Sequence, residues 1–310
     1  MITSSAPGKI ILFGEHAVVY GRPALAVPVT QVQATVEVDE SPRPGIWIEA
    51  PDIRLSCELS QLPLTHPLAA AINGVLTATG ISTPSPFTIH VHSTIPVASG
   101  LGSGAAVSVA LIRALSSAVG RLLSDEQVNA LAYEIEKLHH GTPSGIDNTV
   151  ITYSRPVVFV TGARIETLQV GMPFTLVIGD TGVSAPTKES VFDVRQLWQM
   201  DRRRWGRVFN RIGEIVQAAR RAIEIGDLPV LGPLMDDNHA LLQELTVSSP
   251  GLDHLVDAAR GSGALGAKLS GGGRGGNMIA LVRPQEAERV AAALLAAGAK
   301  RALITAVQAK

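Results

Sequence analysis

Polar and apolar residues alternate through Gln31–Val38, where Val32, Ala34, Val36 and Val38 share one face, and again through Phe87–His92. A period of two predicts strands with one side against a core. Short apolar runs at Lys9–Phe13, Ala24–Pro28, Val157–Thr161 and Thr175–Asp180 predict further strands. Gly45–Ala50 continues that style after a proline-rich turn, and the β-branched run Thr149–Tyr153 predicts one more. Elsewhere the period lengthens. Val208, Ile212, Ile215, Val216, Ala219, Ala222 and Ile223 keep a helical spacing, with arginines facing away. Leu68–Thr79 and Ala105–Val119 predict helices stopped by Gly80 and Gly120. Ser124 and Gln127 form a capping box that opens a helix running to about His140. Leu252–Gly261 and Pro284–Gly298 predict helices, and between them two short strands flank a glycine run. The class is α+β. At 310 residues the chain exceeds the usual domain of about 100–200 residues. Two packed domains are expected, 1–175 and 176–310, with the boundary near Thr175–Asp180.

Composition narrows the possibilities. With 46% hydrophobic and 17% charged residues, the chain has enough apolar material for buried cores. The 27 acidic and 26 basic residues leave a net charge of −1, which excludes the basic surface of a general nucleic-acid binder. Anionic ligands must then be held by local groups. Cys57 stands alone, so no intrachain disulfide forms, in keeping with a reducing compartment. Met1–Lys9 lacks a basic segment followed by an apolar one, and the apolar runs fall far short of the roughly 20 residues that span a bilayer. A cytoplasmic protein with neither a membrane nor a nucleic-acid partner is expected.

Four segments carry candidate chemistry. Pro96, Ser99, Gly100, Leu101, Gly102, Ser103, Gly104 and Ala105 lie between a strand and an apolar helix. Glycines there let the backbone approach a ligand, and the free N–H groups at a helix start attract phosphate. No Gly-Lys-Ser/Thr closes the loop, so it is not a Walker A motif, and an unliganded glycine turn would look the same. The second segment, Lys268–Asn277, has five glycines in the six positions 271–276 between apolar pieces, an odd place for a tether and a better one for an anion-contacting loop. In the third, Lys9 precedes Glu15 and His16 near one end of a strand; singly, such residues are more often solvated or structural. In the fourth, a helix carrying Glu136 ends and a Gly/Pro/Ser loop delivers Asp147 to the strand predicted next. These carboxylates suit a metal ligand and an acid/base or orienting group, or equally a solvated helix face and an Asx turn. His139 and His140 invite a zinc reading, but adjacent helical residues face different ways and no further ligand pattern accompanies them.

Together the four segments resemble the GHMP kinase superfamily, which includes galactokinase, homoserine kinase and mevalonate kinase. Gly14–Ala24 and His140–Asn148 are most similar to the mevalonate kinases. The resemblance implies a two-domain GHMP-kinase-like architecture with the active site in the cleft between domains, an ATP-binding domain at 1–175, and the third glycine motif in 176–310. It implies ATP as co-substrate, Mg²⁺ as cofactor, and phosphorylation of the primary hydroxyl of mevalonate to 5-phosphomevalonate, with a homodimer as the assembly to test. By position, Asp147 and Lys9 match catalytic residues, Glu136 and Ser103 metal-binding ones, and Glu15, His16 and Thr187 the substrate end. Pro96, Ser99–Ala105, Gly271 and Gly273 match the nucleotide contacts. Three departures stand out: Gly104 where relatives usually carry a magnesium-binding serine, Arg274 for a usual glycine, and Asn277 for a usual cysteine. The alternatives are a kinase for another hydroxylated small molecule, one acting on mevalonate's tertiary hydroxyl, and a nucleotide-binding regulator without chemistry.

Overall fold

The computed structural model describes residues 1–96, 99–140, 143–184 and 187–309; the side chains of His139 and His140 lie outside the described set. The chain folds into two compact units that interleave in sequence. One comprises Met1–Lys9, Val29–Val97 and Leu101–Ser154; the other comprises Ile10–Pro28, Ala98–Gly100 and Arg155–Lys310. Strands β1 (Ile2–Phe13) and β2 (Ala24–Glu40) each run from one unit into the other. The two runs expected at 24–28 and 31–38 are thus one long strand. Pro28 does not break it, since proline without its N–H is tolerated where no ladder bond is required of it.

In the first unit, β3 (Ile46–Ala50) pairs antiparallel with β4 (Leu55–Glu58) and parallel with β5 (Phe87–Ser93), and β5 pairs antiparallel with Ala34–Glu40 of β2. The alternation seen in sequence is the face rule of this sheet: Val36, Val38, Ile48, Ile89 and Val91 are all buried. Helices α1 (Pro67–Thr79), α2 (Ser103–Ala118), α3 (Asp125–His140) and α4 (Ile146–Tyr153) pack on one another. The α2 helix is apolar nearly all round because it lies inside this group; Val109, Leu111, Ile112 and Leu115 are all buried. The capping box at α3 forms as its spacing predicts, with Gln127 N donating to Ser124 Oγ and Ser124 N donating to Gln127 Oε1.

One element departs from expectation. Thr149–Tyr153 is helical, within α4, rather than a strand. Gly145 at φ 89° turns the chain into the helix, and Thr149 Oγ1 donates to the Gly145 carbonyl at 2.7 Å. Burial of Ile146, Val150 and Ile151 in tertiary contacts outweighs the modest β preference of the branched side chains.

In the second unit, β8 (Phe174–Asp180) lies between β11 (Arg301–Val307) and β10 (Asn277–Val282), and β9 (Gly266–Ser270) completes an antiparallel sheet in the order β11-β8-β10-β9. Short strands β6 (Val157–Phe159) and β7 (Glu166–Thr167) pair with each other, and β6 pairs with Ala24–Ala26. Helices α5 (Thr187–Met200), α6 (Arg202–Ile225), α7 (Leu228–Glu244), α8 (Pro250–Gly261) and α9 (Ala287–Ala296) complete the unit. The apolar spacing seen at 208–223 is the buried stripe of α6. Among the described residues no helix is long and apolar enough to cross a membrane.

Candidate active site

Three charged side chains of the first unit converge. Lys9, near the end of β1, donates from its backbone N to the Leu101 carbonyl at 2.9 Å, which ties the strand to the glycine loop. Its side chain is almost wholly buried, and Nζ stands 3.0 Å from Asp147 Oδ1. Asp147 sits in the first turn of α4, where a carboxylate is favoured by the helix dipole, and keeps 29% of its side chain exposed. Gly102 makes this arrangement possible. It has φ 76°, and a Cβ there would stand 2.8 Å from Ile151 Cδ1 and 3.0 Å from Lys9 Cγ. The stem of Lys9 therefore packs directly over a residue that must lack a side chain, and this packing aims its ammonium.

Glu136, on α3, is buried in the same cluster. Burial first, then the Asp147 carboxylate, push it up to about 7, with the Lys9 ammonium acting against both. Asp147 and Glu136 thus both lie within electrostatic reach of the Lys9 ammonium. A Cβ at Gly104, in the first turn of α2, would stand 3.5 Å from Glu136 Oε1, so the glycine loop leads into the helix beside this carboxylate. Ser103 is the first residue of α2, and Gly102 precedes it in the left-handed conformation. Among the described residues no cluster of three His, Cys, Asp or Glu side chains could hold a metal, and the side chains of His139 and His140, which prompted the zinc reading, lie outside the described residues.

The second unit gathers the remaining candidates. Ser99 and Gly100 belong to it, while Val97 and Ala98 lie outside the described residues. Asn277 Nδ2 donates to the Ser99 carbonyl at 2.5 Å, so the first glycine segment meets the end of the second. Asn277 thus ties Ser99 to the end of the second segment. At the other end, Thr187 opens α5 against the loop: a Cβ on Gly272 would stand 2.8 Å from Thr187 Oγ1. His16 Nε2 is 3.1 Å from the Gly272 carbonyl. Gly273 is forced by its surroundings, since at φ 78° a Cβ would fall 1.9 Å from the Val247 carbonyl, whereas Gly271 has open space about it. Ala185 and Pro186 of the Thr187 segment, and Gly141 and Thr142 of the Asp147 loop, lie outside the described residues. Pro96 precedes the loop in the first unit.

His16 has φ 60° and ψ −47°, a costly backbone for a residue with a Cβ. Burial pulls its imidazole down to about 4; the hydrogen bond with Gly272 opposes that shift and the Arg274 charge adds to it. The ring is therefore neutral near pH 7, and since a carbonyl only accepts, Nε2 carries the proton. Arg274 takes φ 61° and turns its guanidinium to Asp193 on α5, Nη1 to Oδ2 at 2.5 Å, while its backbone N donates to Val247 at 2.7 Å. Its guanidinium is thereby engaged by α5.

Sequence inspection missed Lys268. Its Nζ is bonded to Glu15 Oε1 and, at 2.6 Å, donates to the Leu269 carbonyl; Lys268 and Glu15 are 0% and 1% exposed. A lysine inside a short apolar strand was the available signal, because an unpaired charge cannot stay there.

Comparison with known proteins now bears on this geometry. Residues 67–155 match the GHMP kinases N terminal domain and residues 216–300 the GHMP kinases C terminal domain. The chain is 38% identical to the mevalonate kinase of Thermococcus sibiricus, over 96% of this chain and 93% of that one, and 37% identical to that of Pyrococcus furiosus over the same shares. Among solved structures, L. major mevalonate kinase in complex with R-mevalonate superposes with a TM-score of 0.86 at 31% identity, over 99% of this chain and 96% of that one. The Methanococcus jannaschii mevalonate kinase gives 0.84 at 27% identity, covering 99% and 98%. By its motifs, its paired domains and this near full-length similarity, the chain belongs to the mevalonate kinase family of the GHMP kinases.

Proposed function

We propose that the protein transfers the γ-phosphoryl group of ATP to the primary hydroxyl of mevalonate, giving 5-phosphomevalonate and ADP. The observation that carries this is the Lys9–Asp147 pair at 3.0 Å, part-buried beside a second carboxylate, in a chain of this family. Phosphoryl transfer passes through a loose transition state, so alignment and charge stabilisation supply most of the catalysis. Asp147 orients the acceptor hydroxyl and takes its proton as the oxygen bonds to the γ-phosphorus. The bond from that phosphorus to the bridging oxygen breaks, and ADP leaves. Lys9 stabilises the charge developing on the acceptor oxygen. The backbone of Ser99–Ala105, backed by the N-terminus of α2, holds the phosphates, with Gly271 and Gly273 contributing from the second loop. Glu15, His16 and Thr187 serve the acceptor end.

A magnesium ion suits the residues present. Burial and the neighbouring Asp147 carboxylate raise Glu136 to about 7, so a cation beside it would favour its charged form, and oxygen donors of this kind match a hard divalent cation. Glu136 and the Ser103 hydroxyl would hold it, Ser103 standing in for the donor that Gly104 lacks. When bound, the ion neutralises phosphate charge.

A coupled assay of ADP release with mevalonate, phosphomevalonate, homoserine and galactose tests this, with phosphorus NMR of the product. Release with mevalonate alone, and a phosphorus signal split by two neighbouring methylene protons, is expected. An unsplit signal would place the phosphate on the tertiary carbon, and silence with mevalonate would end the proposal.

A further inference from the structure

Three residues of β9 and the loop after it, Lys268, Ser270 and Gly272, reach back to the chain that follows Lys9. Lys268 binds Glu15 Oε1, its neighbour Leu269 supplies the carbonyl that takes a second bond from Nζ, Ser270 Oγ donates to the Ile11 carbonyl at 2.7 Å, and Gly272 accepts from His16. β9 is itself held from behind, since Leu269 N donates to His239 Nδ1 at 3.2 Å and His239 Nε2 meets Asp253 Oδ1 at 3.1 Å. Lys268 therefore sits on a fixed strand and grips a turn whose backbone is strained at His16.

Stability alone does not account for the pair. A buried ion pair of this kind is often no better than apolar residues of the same volume, because both charges lose their water. Moreover Glu15 Oε2 is buried and has no hydrogen-bond partner among the described residues. Leaving such an acceptor unmatched costs about 1–3 kcal/mol. Glu15 is gripped through one oxygen by a strand that is itself fixed, and the turn it belongs to carries His16 to the second glycine loop.

We propose that Lys268 is a positioning residue: by holding Glu15 Oε1 it keeps the Glu15–His16 turn locked to the second glycine loop and so sets the acceptor end of the site. This rests on the kinase function proposed above. It assigns acceptor affinity, rather than nucleotide affinity or chemistry, to a residue that touches neither substrate.

The experiment compares Lys268→Met and Lys268→Gln with the wild type, using mevalonate and ATP, with near-UV circular dichroism to confirm the fold. Methionine removes the donor; glutamine restores one through its amide. In Lys268→Met the KM for mevalonate should rise at least about ten-fold, with kcat and the KM for ATP within about three-fold, the pattern expected when only the binding of the acceptor is weakened. Lys268→Gln should recover most of that loss. An unchanged mevalonate KM in a folded Lys268→Met protein overturns the proposal, as does a parallel rise in the KM for ATP. Failure of both variants to fold also overturns it, since the pair would then be structural. Nitrogen-15 NMR of the His16 ring gives a readout that needs no turnover: the Nε2–H form should dominate in the wild type and give way to a mixture in Lys268→Met. An inactive wild type with that ring behaviour would sink the choice of substrate and keep the positioning role; wild-type ring behaviour in Lys268→Met would sink the role.

Discussion

Among the described residues, two buried lysines pair with carboxylates and are built to opposite ends. Lys268 and Glu15 are sealed from water and match charge for charge, with His239 behind β9 feeling the Lys268 charge. Lys9 and Asp147 leave the carboxylate 29% exposed and share their space with Glu136, whose carboxyl is pushed up by burial and by Asp147. The sealed pair is complete in charge and serves geometry. The open pair keeps a carboxylate within reach of solvent, which the proposed chemistry uses. Similar residue types, at similar burial of the lysine, acquire different work from one extra carboxylate and one solvent-facing oxygen.

The sharpest way to break this comparison is at the open pair. Asp147→Asn keeps size and helix position but removes the proton acceptor, and kcat should fall by about 10²–10⁴. ATP affinity, measured by titration calorimetry, should hold within a few-fold. Turnover near that of the wild type would show that the open pair is as structural as the sealed one.

Gly102→Ala probes how the lysine is aimed without touching a charge. The added methyl would press on Ile151 Cδ1 and Lys9 Cγ, in a backbone conformation that disfavours alanine. Displacement of the Lys9 stem should lower kcat by about ten- to a hundred-fold, since misplacement by about 1 Å costs on that order. A kcat equal to the wild type's would mean that Lys9 is aimed by its pairing with Asp147 alone.

On the sealed side, His16 offers a titration of stability. Its folded value of about 4 lies below the ordinary 6.5, so the neutral ring favours the folded state. That stability is fully present above about pH 6.5 and is lost as pH falls toward 4, because the unfolded chain takes up the proton first. The loss amounts to at most about 3 kcal/mol. His16→Asn, which cannot ionise there and tolerates positive φ, should flatten this acid limb in urea titrations at pH 7 and pH 4.5. Parallel limbs in both proteins would show that the turn is less closed than the lysine pair beneath it.

The smallest effect is expected at Arg274. Glycine relieves a left-handed backbone worth about 1–2 kcal/mol but gives up a part-exposed ion pair with Asp193 worth about 0–1 kcal/mol. Arg274→Gly should therefore shift Tm by only a few degrees and leave the KM for ATP within about three-fold. A large loss of nucleotide affinity would move Arg274 from the outer side of the loop into the phosphate site.

Much of this was legible in the chain itself. The alternation in β2 and β5, the capping box of α3, the glycine stops of α1 and the stripe of α6 are local patterns, each set by a period or a turn that neighbouring residues decide. Lys9, Glu15, His16, Glu136, Asp147 and the glycine segments could be singled out because their types and spacing match a motif. Thr149–Tyr153 was misread because β-branched residues speak for a strand locally, while burial of Ile146, Val150 and Ile151 decides for a helix. The pairing of Lys268 with Glu15 joins residues 253 positions apart, and no local pattern reports such a meeting.

The sequence by itself therefore determined the family, the strand and helix periods and the inventory of groups able to move a phosphoryl unit. Only the tertiary structure decided how those groups are charged and aimed: that Glu136 crowds Asp147, that Lys9 lies over Gly102, that Arg274 turns to Asp193 and that Lys268 grips Glu15. The reason is physical. Periodicity and turn chemistry act over a few residues, whereas desolvation and Coulomb interaction depend on distance in space, which the chain acquires only on folding.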